Sequence, residues 1–199
     1  DGKKPPMPHD AEDRLRTLGL TLPDAPSPLA NYVPAILSGD LLFISGQISR
    51  QANGAVIAGT RGGGLTVSEG QSAAKACALA ILAQAKTALG SLEKIEQVVK
   101  LTGFVASTPE FREQPQVING ASDLFVAVLG DRGRHTRAAV GAASLPAGAA
   151  VVIEPSDAGH VLVKYEVTGL KKSAKHGFHI HAKGDCSAPD ASSAGDHWN

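Results

Sequence analysis

Length, composition and charge exclude several classes of protein. The chain has 199 residues, of which 43% are hydrophobic and only 4% aromatic. Its 19 basic residues balance 19 acidic ones, which disfavours nucleic acid or an anionic membrane surface as a partner, since both attract a basic surplus. No run of about 18 apolar residues occurs, so no transmembrane helix is expected. Two cysteines do not make a disulfide framework, which favours a cytoplasmic location.

The beginning of the chain predicts a leader, a helix, a hairpin and a loop, in that order. Residues 1–10 have no periodic apolar pattern, and we expect them to form a flexible leader. Residues 11–20 have the apolar spacing of a short amphipathic helix. Two β-rich runs at residues 32–37 and 41–48 flank a Ser-Gly-Asp turn and indicate a hairpin. The five glycines of residues 53–64 indicate a mobile loop.

The next part of the chain predicts two helices and three strands. The helices are expected at residues 68–89 and 115–129, and the strands at 98–106, 138–143 and 149–154. Ser68 and Gln71 have the spacing of a capping box at the start of the first of these helices. Gly90 and Gly130 follow the two helices, where glycine commonly ends a helix.

The order of these elements predicts an α+β fold. Two strands, a helix, a strand, a helix and two strands suit one sheet that carries both helices on one face. The other face of such a sheet needs a cover, which favours an oligomer. After residue 154 the pattern changes to strands at 161–167 and 177–181, followed by a polar tail. We therefore expect two domains, at residues 11–154 and 155–199.

A first group of candidate functional residues lies at the ends of strands. Tyr32 precedes the first strand, Ser45-Gly46-Gln47 ends the second, and Arg137 opens an apolar run. Glycine allows a ligand to approach the backbone closely, and arginine is suited to bidentate capture of a carboxylate. The alternative is that Arg137 is simply a solvated residue at the end of a strand. The nearby basic cluster of Arg132, Arg134 and His135 also has two interpretations, either solvated surface or an addition to an anion-binding pocket.

Several phrases around these residues resemble the Rid/YjgF family. In chain order they are Ala30-Asn31-Tyr32-Val33-Pro34, Leu42-Phe43-Ile44-Ser45-Gly46-Gln47, Phe104-Val105-Ala106-Ser107-Thr108-Pro109-Glu110-Phe111, Val117-Ile118-Asn119-Gly120-Ala121 and Arg137-Ala138-Ala139-Val140 with Leu145-Pro146. Their order and separations cover about three quarters of the chain. The opening at residues 18–23 resembles one branch of the family more than it resembles the best-characterised imine deaminases.

The resemblance implies a chorismate-mutase-like Rid fold that forms a homotrimer, with one cleft at each subunit interface. In deaminase members, the arginine matching Arg137 holds the carboxylate of a small 2-imino acid, which is hydrolysed to the 2-oxo acid and ammonia. Tyr32 and Asn119 match residues that line this cleft. Ser45, Gly46 and Ala139 match positions that shape the substrate site. No cofactor is implied, because a guanidinium, backbone donors and one positioned water suffice.

The sequence departs from the deaminase pattern on the last strand. Counting from Leu145-Pro146, the deaminases' water-positioning glutamate corresponds to Val152, while Glu154 stands two residues further on. Glu154 should share a face with Val152 and is the candidate replacement. Ala139 stands where the family commonly has a cysteine. Imine hydrolysis and non-catalytic binding of a small ligand by the trimer therefore both remain open. Ribonuclease activity has been described for some members of the family, but the neutral net charge of this chain gives that function little support.

A second group of candidate residues consists of histidines near the C-terminus. His179 and His181 are spaced to point to one face of a strand, which suits a single metal ion, and His197 follows after a loop. The alternative is a pair of surface histidines without a ligand.

The same segment resembles Cu,Zn superoxide dismutase. The resemblance is carried by His176-Gly177-Phe178-His179-Ile180-His181, Gly184-Asp185-Cys186 and Ser193-Ala194-Gly195-Asp196-His197-Trp198-Asn199. It implies that His179 and His181 are copper ligands, that His197 bridges copper and zinc, and that Cys186 matches the disulfide cysteine. The other ligands and most strands of that sandwich have no counterpart here. We expect copper or zinc binding rather than superoxide turnover.

Overall fold

The computed structural model describes residues 10–27, 30–51, 53–60 and 62–155. Within these ranges no helix is long and apolar enough to cross a membrane. The predicted leader, apart from Asp10, and the predicted strands at 161–167 and 177–181 lie outside the described residues, as do the three candidate metal-binding histidines.

The described part of the chain forms an α+β fold with three α-helices and six strands. The helices are α1 (Ala11–Thr17), α2 (Val67–Leu89) and α3 (Gln114–Leu129). The strands are β1 (Ala35–Ser38), β2 (Leu41–Ile44), β3 (Gln47–Ile48), β4 (Lys100–Ala106), β5 (Thr136–Ala142) and β6 (Val151–Glu154). Within the described residues the predicted helices and strands are therefore confirmed with ends that differ by a few residues, except that the strand predicted at residues 41–48 is divided into β2 and β3.

The strands form two sheets rather than the single sheet expected. β1 and β2 make an antiparallel hairpin, whereas β3, β6, β4 and β5 form a four-stranded sheet in that order. β4 and β5 are parallel, and β6 is antiparallel to both of its neighbours. The predicted strand 41–48 is interrupted at Ser45-Gly46, where the Ser45 amide donates to the Pro34 carbonyl at 2.9 Å. This contact extends the ladder between β1 and β2 by one pair, and after Gly46 the chain pairs with β6 instead.

Helix α2 begins two residues earlier than the predicted capping box. The Thr66 hydroxyl accepts from the amide of Glu69, and the Glu69 carboxylate accepts from the amide of Thr66 at 2.7 Å. Ser68 and Gln71 lie inside the helix, so their assignment as the cap was wrong. Both pairs have the same spacing, but only Thr66 precedes the first helical residue with extended backbone.

Small residues let the helices pack closely on the sheet. A scarcity of aromatic residues is offset by the alanines of α2, most of which are buried. A Cβ placed on Gly120 of α3 would lie 2.1 Å from the Gln71 carbonyl oxygen of α2, so the two helix backbones nearly touch there. A Cβ on Gly103 of β4 would overlap Ile118. These glycines fix how α3 crosses α2 and β4.

Both α2 and α3 pack on one face of the four-stranded sheet, as predicted. The other face carries a row of apolar side chains, because Ile48 pairs with Val152, Val152 with Phe104, and Phe104 with Val140. Directly paired residues share a face of a sheet. Val140 is 44% exposed in the single chain. We call this row the open face.

The glycine-rich segment 53–64 is tied down more than the sequence indicates. The Ile57 amide donates to the Ser49 carbonyl at 2.8 Å, and the Ala150 amide donates to the Ile57 carbonyl at 2.9 Å. Ile57 also packs against the core. One apolar side chain anchors the middle of the segment, and the mobility of the rest of the loop stays a prediction.

Candidate functional site

Arg137 lies on β5, which is an edge strand of the four-stranded sheet, and its side chain is exposed. Its Nη1 group donates to Asn119 Oδ1 at 2.8 Å and to Ser122 Oγ at 3.1 Å. Asn119 and Ser122 are three residues apart on α3 and therefore lie on one face of that helix. The predicted pair of Arg137 and Asn119 is thus brought together, and Ser122 joins it.

These two bonds leave one edge of the guanidinium group available. Among the described residues, Nε and Nη2 of Arg137 have no hydrogen-bond partner. Two parallel N–H donors on one planar edge match the two oxygens of a carboxylate. Arg137 is held by one nitrogen and presents the other two for bidentate binding of an anion.

A histidine that the sequence did not single out as a site residue continues this network. His135 Nε2 lies 3.0 Å from Ser122 Oγ, and its Nδ1 lies 2.7 Å from the Gly133 carbonyl oxygen. The ring also stands edge-on to Phe125, with 5.9 Å between ring centroids. Ser122 could have been found from its spacing to Asn119, whereas nothing in the sequence distinguishes His135 from a solvated histidine.

The charge state of His135 differs from what a basic cluster would suggest. Desolvation by burial, reinforced by the positive charge of Arg137, holds the pKa of His135 below its ordinary value, against an opposing effect of the Gly133 carbonyl. The other arginines of the predicted cluster are paired elsewhere, Arg132 with Glu93 and Arg134 with Asp131. The cluster does not form a joint anion site with Arg137.

A second set of predicted residues meets at the interruption between β2 and β3. Ser45 Oγ donates to the Val33 carbonyl at 2.7 Å, which holds the segment that follows Tyr32 against Ser45. The Tyr32 side chain is 52% exposed. A Cβ placed on Gly46 would lie 3.2 Å from Cγ and from Oε1 of Glu154, so the Glu154 side chain lies beside the Gly46 backbone. Glycine leaves this carboxylate room.

The first set of residues, around Arg137 and Asn119, lies apart from the second set, around Ser45, Gly46 and Glu154, within one chain. Glu154 pairs with Thr102, and Thr102 pairs with Ala138, so these three residues form one row on the open face. Arg137 precedes Ala138 and therefore points to the opposite, helix-bearing face. Two strand spacings, roughly 10 Å, also separate the strands of Glu154 and Arg137. A single chain consequently does not bring Arg137 and Glu154 together.

Two other predicted positions have clear places in the fold. Ala139 shares the face of Arg137, is half-buried and packs against the core. Val152 is 8% exposed on the open face and shares that face with Glu154, as expected. Cys77 is fully buried, and burial raises the pKa of its thiol, whose hydrogen is directed to the Val151 carbonyl. Cys77 is therefore a residue of the hydrophobic core.

A cavity is lined by none of the residues of the two sets, but its walls include Ile44 and Pro155, the chain neighbours of Ser45 and Glu154. It measures about 640 Å³ and lies between β2, the segment before β4 and the two long helices, with Pro155 at one end. Its walls are mainly apolar core residues such as Ile81, Leu82 and Phe125. The described residues also include no group of three or more His, Cys, Asp or Glu side chains that could hold a metal ion.

Two family models match the chain. Residues 12–154 match the family described as "YjgF/chorismate mutase-like, putative endoribonuclease". Residues 147–199 match the family of copper/zinc superoxide dismutase. Residues 147–154 fall within both matches, so β6 belongs to the region that the two resemblances share.

Individual proteins match the first region over most of their length. Protein TCP17 of Trypanosoma cruzi is 50% identical over 141 residues, which are 70% of this chain and 88% of that protein. The structure of a protein of unknown function from Agrobacterium tumefaciens is 54% identical, with a TM-score of 0.68 over 72% of this chain and 89% of the other. A "putative endoribonuclease" from Shewanella oneidensis is 34% identical, with a TM-score of 0.70 over 73% of this chain and 96% of the other.

Proposed function

Because the chain belongs to the YjgF/chorismate mutase-like family, we propose that it hydrolyses small 2-imino acids in clefts between copies of the chain. The observation that carries the proposal is Arg137, whose Nη1 is held by Asn119 and Ser122 while Nε and Nη2 remain available for a carboxylate. The neutral net charge gives the nuclease activity in the family's description little support.

The proposed chemistry needs only groups that the chain carries. Arg137 holds the substrate carboxylate, and Tyr32 with the backbone at Ser45-Gly46 lines the cleft around the imine. Water adds to the imine carbon, a proton passes to the nitrogen, and cleavage of the C–N bond releases ammonia and the 2-oxo acid. Glu154, beside Gly46, is the group that accepts a proton from the water. No cofactor takes part.

The separation of the two sets of residues supports a cleft shared between subunits. Arg137 lies on the edge strand β5 and bonds to Asn119 of α3, whereas Glu154 lies on the opposite face of the sheet beside Gly46. In a cyclic trimer each copy can present one set to each of its two neighbours. We propose that this homotrimer is the functional unit.

Ammonia release from freshly generated 2-iminopropanoate and 2-iminobutanoate tests the activity. We expect Arg137→Ala to lower kcat/KM by about 10- to 100-fold, the effect of losing a hydrogen-bonded charge pair. Arg137→Lys keeps the charge but not the planar fork and should recover only part of the loss. Full activity in Arg137→Ala would contradict the proposal.

Mixing two inactive variants tests whether the cleft is shared. Arg137→Ala and Tyr32→Ala each damage a different set, so a mixed trimer contains some clefts with both sets intact. Random co-assembly at equal amounts should restore about one cleft in four. Each variant taken alone through the same unfolding and reassembly serves as the control and should stay inactive. No recovery after verified co-assembly would place all these residues in one subunit.

Val152 favours a second function, in which the trimer binds a small ligand without converting it. A nearly buried valine between Ile48 and Phe104 occupies the position at which the deaminases carry their glutamate. Val152→Glu, with Val152→Gln as the uncharged control, separates the two functions. A large gain in turnover in Val152→Glu but not in Val152→Gln would favour a degenerate enzyme. No gain in either variant would favour a different ligand.

The superoxide dismutase match favours metal binding by the C-terminal segment as a separate property. His179, His181 and His197 would supply imidazole ligands to copper or zinc. Metal content of the purified chain, measured by mass spectrometry after equilibration with micromolar copper or zinc, tests this. Retention that disappears in His179→Ala would support binding, whereas a chain without metal would dismiss it.

A further inference from the structure

The hydrogen bonds behind Arg137 have a definite direction. A carbonyl oxygen only accepts, so His135 Nδ1, 2.7 Å from the Gly133 carbonyl, carries the hydrogen of that contact. In the neutral ring Nε2 is then an acceptor, and it receives the hydrogen of the Ser122 hydroxyl. The Ser122 oxygen, having donated its hydrogen to His135, accepts from Arg137 Nη1. Each group in the series donates to the next.

We propose that Ser122 and His135 are positioning residues that aim Arg137, and that this alignment depends on His135 being neutral. Neutral His135 fixes the rotation of the Ser122 hydroxyl, so that its oxygen faces Arg137. Asn119 provides the second acceptor for the same Nη1. Together they point the Nε and Nη2 edge of Arg137 away from α3. The consequence for substrate binding depends on the proposed function, whereas the alignment itself does not.

Protonation of His135 would disturb this arrangement in two ways. Both ring nitrogens would then donate, so the Ser122 hydroxyl would lose its acceptor and its oxygen would face two donors. A second positive charge would also be created close to Arg137. The groups packed around the ring are Ser122 and Phe125 of α3, the Gly133 carbonyl and Arg137 of β5. Among them only Arg137 is charged, and its charge opposes protonation.

Nuclear magnetic resonance tests the alignment without reference to activity. Nitrogen-15 spectra should show neutral His135 with its hydrogen on Nδ1, and order parameters should show a restrained Arg137 side chain. We expect Ser122→Ala to make the Arg137 side chain more mobile, and Ser122→Thr, which keeps the hydroxyl, to restore the restraint. A hydrogen on Nε2, or an Arg137 side chain equally restrained in Ser122→Ala, would overturn the proposal.

Ligand affinity tests what the alignment does. Pyruvate, a 2-oxo acid with the carboxylate of the expected product, serves as the probe in titration calorimetry. We expect Ser122→Ala to weaken its binding by about 2- to 10-fold, as for one neutral hydrogen bond, and Ser122→Thr to recover it. Binding to the wild type should weaken as the pH falls through the pKa of His135, and this dependence should be absent in His135→Asn. Equal affinity in Ser122→Ala and wild type would overturn the role in binding.

The two measurements separate failure of this inference from failure of the proposed function. A wild type that binds no pyruvate, but shows the expected tautomer and an Arg137 loosened by Ser122→Ala, would contradict the proposed function alone. Strong binding of pyruvate with no effect of either Ser122 variant would contradict this inference alone. Circular dichroism of each variant verifies that the fold is retained in the comparison.

Discussion

At the scale of single residues, the sequence predicts part of the site around Arg137 but not all of it. The resemblance to a family brought Arg137 and Asn119 into one predicted site, and the structure joins them by a 2.8 Å hydrogen bond. Ser122 could have been predicted from its helical spacing to Asn119, but it is not among the predicted site residues. The sequence could not identify His135, because the lowered pKa of its side chain depends on burial in the folded chain, where the ring packs edge-on against Phe125.

The shifted pKa of His135 predicts how stability depends on pH. Burial and the charge of Arg137 lower the pKa in the folded chain, so the unfolded chain, with a pKa near 6.5, binds more protons between the two values. Stability should therefore fall as the pH falls from about 6.5 through the folded pKa, and His135 should contribute no change above that window. Urea unfolding at pH 7.5 and pH 5.5 measures the difference, which should be smaller in His135→Asn. An equal difference in both proteins would show that His135 is not the responsible group.

At the scale of elements, local patterns located the helices but not always their boundaries. Residues 114–129 form α3 nearly as predicted, because a long apolar period and a following glycine agree there. The start of α2 offers two overlapping capping pairs with identical spacing, and spacing alone cannot choose between them. Backbone geometry at Thr66 decides the choice in the folded chain.

Two hydroxyl deletions test this correction at the start of α2. Thr66→Ala removes the side chain that accepts from the Glu69 amide and should lower the free energy of unfolding by about 1 kcal/mol. Ser68→Ala is the matched control, since an exposed serine within the first turn has no capping role and should change stability little. Chemical denaturation of both variants measures the effects. A larger loss of unfolding free energy in Ser68→Ala than in Thr66→Ala would show that Ser68 is the N-cap, as the sequence predicts.

Because α2 and α3 cross closely at Gly120, we expect an alanine there to lower stability, although alanine has the higher helix propensity. Alanine favours a helix interior over glycine by about 1 kcal/mol, but a Cβ on Gly120 would overlap the backbone of Gln71. Overpacking costs about 1–3 kcal/mol, so Gly120→Ala should be destabilising overall and should displace Asn119 from Arg137. Gly63→Ala, where a Cβ meets nothing closer than 3.4 Å, is the control. A more stable Gly120→Ala in denaturant unfolding would mean that the helices separate easily.

At the scale of the whole molecule, the sequence predicted the two-layer arrangement of sheet and helices. It did not predict the division of the strands into two sheets, because residues 41–48 have continuous β propensity, whereas in the structure residues 41–44 pair with β1 and residues 47–48 pair with β6. The open face was expected to need a cover, and the row from Ile48 to Val140 is the apolar surface that would be covered. Homotrimer formation remains a prediction.

A charge placed on the open face tests whether this surface holds the assembly together. Val140→Asp should convert the trimer to monomers, because burying an unpaired carboxylate in an apolar interface is strongly unfavourable. Leu18→Asp is the matched control, since Leu18 on the helix side is 47% exposed and Val140 is 44% exposed. Light scattering coupled to size-exclusion chromatography gives the mass of each variant. An unchanged trimer in Val140→Asp would place the interface elsewhere.

The placement of Arg137 and Glu154 on opposite faces of the same sheet has a kinetic consequence. If no folded chain holds a complete cleft, the number of working sites is set by association and not by folding alone. Turnover per milligram of protein should then be constant at high protein concentration and fall steeply on dilution, while circular dichroism stays unchanged. If the proposed activity is correct, protein concentration thus controls it, and a monomer released by dilution would be fully folded yet inert.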